Sequence, residues 1–332
     1  MPPRLRAHSI AAAQPRRAAH HTAAAVLADA PRARTLMLVV VDVGAHPGLR
    51  PSPWVIDGVL DAIADSGLRG RSAVLGASDG ADSLAARLAA ADLPEATHEG
   101  RAHHDALRLR IPGSPRELRV PRSWVGSNLC LVLPCLHREQ VVRGGPPRWR
   151  GPVGSGLLAL TRPWSGASGH DSVELAARCV SELFAHVSVV IDASWWAPLS
   201  AEDRGAPLLL APERTLGLQL ASGIGTEHAL DPRRVDAWLG QQLGLPGRRR
   251  GDAPALVGPA ARTPWPRLPR ASATGTRAAR PGLAGQAVAA LWRRTDRTTS
   301  LHAALPPTAP GALARLWDEY DRSGRGRGTR PA

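Results

Sequence analysis

Seven side chains capable of chemistry follow apolar runs in this sequence. Asp42 and His46 follow "TLMLVVV", Ser78 and Asp79 follow "SAVLGA", His137 and Arg138 follow "LCLVLPCL", and Asp192 follows "VSVVI". Carboxylates and imidazoles from separate segments are the donor set of a divalent cation site. They also serve as proton donors and acceptors. Cys135 stands two residues before His137, a pairing that suggests a nucleophilic thiol with a base, although neighbours two apart rarely orient each other well. Cys130 lies within the same apolar run and reads as core. The four-residue gap between the two cysteines is not the spacing of a zinc or iron–sulfur site.

Side chains this far apart act together only if the chain brings them together, and the apolar runs indicate how. An unbroken run such as 36–41 is hydrophobic on both faces, which suits a buried strand of a parallel sheet. Trp54, Val55, Val59, Leu60 and Ile63 recur at helical spacing after Ser52–Pro53 and stop at Gly67. A second strand and helix follow, then further strands over 117–124, 128–136, 187–196 and 215–223. Helices are predicted from Ser172 to Val187 and from Asp231–Pro232 to Gly244. The alternation predicts an α/β domain, a mostly parallel sheet with helices on both faces. In such sheets ligands bind outside the carboxyl ends of the strands, where the polar residues above would lie.

The domain is predicted over residues 36–246, between a flexible N-terminal segment, 1–35, in which "HTAAAVLADA" reads as a short helix, and a low-complexity basic tail, 247–332, with two weak helical patches. The stretch from Arg143 to Gly169 reads as a Gly- and Arg-rich loop, either solvated or an anion site. It has no P-loop ending, and "GASDG" is not a dinucleotide fingerprint. Residues 99–109, "EGRAHHDALRL", read as an exposed connection.

Composition excludes several classes. The formal charge is +14, yet residues 36–246 hold 20 Arg against 22 acids, so the basicity lies in the tails. All 42 basic residues are Arg, a compositional skew that disfavours a selected nucleic-acid patch in those tails. Three cysteines make no disulfide framework and suit a reducing cytoplasm. No apolar run approaches the roughly 20 residues needed to cross a bilayer.

The order of segments resembles the large uncharacterised family called DUF362. "PCLHREQ" stands where that family has a Pro-Lys-Leu-Lys-Thr-His-like motif, with Cys135 and His137 at the lysine positions. "LALTRPWSG" resembles a Gly-rich second motif, with Arg162 at its lysine. "GHDSVELAARCVSEL" supplies His170, "VVIDASWW" supplies Asp192, and a closing segment ends at Asp231. The resemblance implies a site built from Asp42, His137, Arg162, His170 and Asp192. His137 and Asp192 would hold a divalent metal, and Arg162 would position a small anionic ligand. Arg162 keeps a charge but cannot act as a base or a Schiff-base amine. The layout is also distantly similar to lactate-racemase-like enzymes, whose nickel-pincer cofactor is attached through a Lys. This chain has no Lys, so that attachment is excluded, and no iron–sulfur cluster is expected. The missing lysines equally fit a non-catalytic descendant acting on a protein partner through the C-terminal patches.

Overall fold

The computed structural model describes residues 6–10, 12, 14–30, 33–42, 49–75, 81–94, 106–110, 117–141, 148–161, 173–199, 208–209, 214–222 and 232–242. The central strands are β2 (Thr35–Val41), β3 (Arg69–Leu75), β6 (Leu129–Leu133) and β9 (His186–Leu199). They lie side by side in the order β3-β2-β6-β9, every pair parallel. β11 (Thr215–Ser222) and β1 (Arg6–His8) extend the β9 edge in antiparallel fashion.

β2 shows why the unbroken apolar run was needed. Its side chains alternate between two cores, as a strand's period of two requires. Met37, Val39 and Val41 enter one cluster, with Cys130, Val132, Val187, Val189 and Ile191. There the sheet is covered by α4 (Pro152–Thr161), α5 (Val173–Leu183) and α6 (Pro232–Gln242). Leu36, Leu38 and Val40 enter the other, beneath α1 (Pro15–Ala28), α2 (Pro53–Ser66) and α3 (Ala81–Ala90). Both faces are layered with helices, as predicted.

The N-terminal boundary moves. Residues expected to be flexible form β1 and α1, and Ala18, Ala19 and Ala23 are fully buried. The reason is close packing. A Cβ on Gly58 of α2 would sit 2.4 Å from the Arg16 carbonyl oxygen, and one on Gly217 of β11 would sit 2.3 Å from Val26 Cγ2. An alanine-rich helix fits against such glycines because neither side has bulk, so its small residues are packing surface rather than low complexity. Arg16 forks onto Asp61 at 2.7 and 2.9 Å, and Thr215 Oγ1 donates to Thr22 Oγ1 at 2.9 Å.

Two further segments differ from expectation. Pro152–Thr161, expected within a loop, is helix α4 and almost wholly buried. Residues 106–110, expected as part of a connection, form β4 (Ala106–Arg110). It pairs with β5 (Glu117–Pro121) in a separate antiparallel ribbon. The basic tail from 247 onward lies outside the described residues. No helix among them is long and apolar enough to cross a membrane.

Candidate functional site

At Pro134 the chain leaves β6 without an N–H to offer, and the ladder breaks. It resumes as β7 (Cys135–Val141), which pairs not with β2 but with the far half of β9. β9 therefore changes partner along its length: Val132 of β6 faces Val189, and Cys135 of β7 faces Asp192. Asp192 N donates to the Pro134 carbonyl at 2.9 Å, which closes the break. His137 and Asp192 are thus strand residues rather than strand-terminal ones, and the continuation past the proline is the physical reason.

Asp42 follows β2 directly. Its N–H donates to the Leu75 carbonyl at 2.7 Å, and its Oδ2 accepts from Arg50 Nε at 2.7 Å. Asp42 is fully buried and Arg50 is 4% exposed, so this is an ion pair held out of water. Two residues on, Ser52 is the N-cap residue of α2, and its N–H donates to Asp192 Oδ2 at 2.6 Å. Asp192 Oδ1 accepts from Ser194 N at 2.9 Å. The carboxylate joins β9 to the start of a helix, where backbone donors and the helix dipole favour negative charge.

Cys135 shares this environment. Burial pushes its thiol well above the ordinary range, and the carboxylates of Asp192 and Asp42 push it further, against a smaller opposing effect of Arg50. A thiol kept protonated is no nucleophile at neutral pH. His137, 1% exposed, bonds through Nδ1 to the Cys135 carbonyl oxygen at 2.8 Å. A carbonyl only accepts, so Nδ1 carries the proton and the neutral ring has its basic lone pair on Nε2. Burial alone raises Cys130, which fits core, and Cys179 is raised to about 12 chiefly by burial.

Of the residues predicted for the site, Asp42, His137 and Asp192 lie among those described. Asp42 and Asp192 both act on Cys135. His46, Asp79, Arg162 and His170 lie outside the described residues, as do Ser78 and Asp231. Among the described residues no three His, Cys, Asp or Glu side chains are grouped to hold a metal ion. Arg50, Ser52 and Ser194 were not legible as site residues. The Ser52–Pro53 pair marked only a helix start, and nothing in the sequence links Arg50 to Asp42.

Asp236 was missed as well. Its carboxylate on α6 accepts from the N–H groups of Gly151, Val153 and Gly154 at 3.1, 3.1 and 2.9 Å. Part of the stretch read as either a solvated loop or an anion site has its helix N-terminus filled by the protein's own carboxylate.

Fold and cluster together define an α/β protein with a buried polar centre where its parallel strands change partner. No family model and no curated protein matches the chain. It is similar to a solved structure, the lactate racemase apoprotein from Thermoanaerobacterium thermosaccharolyticum, at 10% identity and a TM-score of 0.31. That likeness covers 57% of this chain and about half, 51%, of the other.

Proposed function

We propose that this chain is a DUF362-like α/β protein that holds a small ligand, a divalent metal ion or a compact anion, at the carboxyl ends of its parallel strands. One observation supports this above the rest: Cys135 stands opposite Asp192 in the sheet, Asp192 accepts from Ser52 N, and two residues before Ser52 the Arg50 guanidinium donates to Asp42. Groups from β9, β2, β7 and the approach to α2 meet there. Two carboxylates against one guanidinium leave these three charges net acidic, which favours a cation on this floor. Asp192 and the Nε2 lone pair of His137 are the nominated metal donors. His46, Asp79 and His170 are the further candidates, with Arg162 for an anionic group.

Metal analysis of the purified full chain tests the reading, alongside melting temperatures with and without Mn2+, Zn2+ or phosphate. Wild type should bind metal or gain stability, and His137→Ala and Asp192→Ala should lose that gain. If neither probe stabilises wild type and no metal copurifies, or both variants respond as wild type does, the reading is wrong.

A second reading has its own support. Asp42 and Asp192 both have internal partners, and the family's lysines are missing, as in a non-catalytic descendant working through protein partners. It predicts that removing residues 247–332 abolishes complex formation and leaves the melting transition of the domain unchanged.

A further inference from the structure

A cleft opens at the amino ends of the parallel strands, the other end of β2 from Asp42. α1 and α2 lie alongside each other and make backbone contact at Gly58, where a Cβ would meet the Arg16 carbonyl oxygen. Further along they part. α1 ends at Ala28 and the chain turns through residues 29–34 into β2. α2 stops at Gly67, whose φ of 67° is left-handed, and β3 follows. Between these two exits lies a cavity of about 350 Å³. Leu27, Ala30, Ala33 and Ala62, all buried, form its apolar floor, and Leu68 adds to its wall. Small-molecule sites begin at about 300 Å³ and combine an apolar lining with a few polar groups.

The polar groups stand at the rim. His20 on α1 bonds through Nε2 to Asp65 Oδ2 on α2 at 2.9 Å, so these two answer each other. Ser66 is occupied too, its Oγ donating to the Ile63 carbonyl at 2.7 Å. Arg34 differs. Its backbone N–H donates to Asn128 Oδ1 at 3.4 Å, but the residue is exposed and enters no ion pair among the described residues. Pro31 and Arg32, the residues of this turn outside the described set, add no acid. A guanidinium forks onto the two oxygens of a carboxylate. An aliphatic tail on that carboxylate would leave water against Leu27 and the alanines. We propose that this cleft binds an aliphatic monocarboxylate, its head on Arg34 and its tail along the recess between α1 and α2. The cleft shares no residue with the cluster around Cys135, so it stands or falls independently of the function proposed above.

The test is isothermal titration calorimetry of the full chain with butanoate, hexanoate and octanoate, and with octanol as the neutral comparison. Affinity should rise about fourfold for each added methylene, the gain from burying one such group. Arg34→Gln, at an exposed position, should weaken octanoate on the order of tenfold and leave octanol unchanged. Ala24→Leu fills the recess and should weaken octanoate and octanol alike. Ala28→Leu, on the exposed part of the same wall, should do so without burdening the fold. No binding of octanoate at millimolar concentration, or equal affinity for butanoate and octanoate, would overturn the proposal. So would an equal loss of octanoate and octanol in Arg34→Gln. A dimer in sedimentation that Ala28→Leu dissociates would assign the cleft to a second copy of the chain and overturn it as well.

Discussion

Two arginine–aspartate pairs in this protein have the same 2.7 Å contact and opposite settings. Arg50 and Asp42, at the carboxyl edge of the sheet, are 4% and 0% exposed; Arg16 and Asp61, on the seam between α1 and α2, are 18% and 42% exposed. Distance alone therefore says little about what a pair does. The first pair cannot lose a member without stranding a charge in a dry interior, whereas water can take over either half of the second. The carboxyl edge relies on charge to hold its shape, and the seam relies on glycine and alanine contacts.

Breaking the buried pair should have the largest effect. Arg50→Ala takes the guanidinium away from a buried carboxylate and should cost about 3–5 kcal/mol in a urea melt. Arg50→Met combined with Asp42→Leu should restore most of that. If the single variant costs under 1 kcal/mol, the pair is not isolated from solvent in solution.

The seam should respond next, and through volume rather than charge. Gly58→Ala puts a methyl group into the Arg16 carbonyl, a backbone contact that cannot swing away, and should cost about 1–3 kcal/mol. A neutral result would mean that α1 does not lie against α2.

Asp57 on α2 sharpens the contrast, because its effect has the opposite sign. Burial raises its carboxyl above the ordinary value, outweighing Arg87 and Arg16. From about 3.9 up to the raised value, the folded state binds more protons than the unfolded chain, so stability falls as pH rises through that window. Asp57→Asn should remove that slope and raise the melting temperature at neutral pH. An unchanged pH profile would contradict it. The smallest effect belongs to Arg16→Ala, at about 0–1 kcal/mol and shrinking further in 1 M salt.

Legibility followed the same division. β2, β6 and β9 could be read because each is apolar on both faces, and the position after such a run marked Asp42 and Asp192. α1 was read only in its second half, "HTAAAVLADA", because alanine contacts leave no strong apolar stripe, and α4 was hidden because Pro152, Gly154 and Gly156 look like a loop. Yet a Cβ on Gly156 would sit only 3.3 Å from Val132, which makes it a packing residue. Arg50, Ser194 and Asp236 act through partners 8, 140 and about 83 residues away in the chain, or through a backbone turn of their own strand. No local pattern encodes such pairings. The β4–β5 ribbon was half visible: its alternation was plain in "ELRV", but its partner strand was read as connection.

The proposed site requires charges from separate segments to form one network around Cys135. A double-mutant cycle between Arg50→Met and Asp192→Asn, followed by urea unfolding, measures this directly. The predicted coupling is about 0.5–3 kcal/mol, and additivity within about 0.3 kcal/mol would mean that the two strand ends do not share a site.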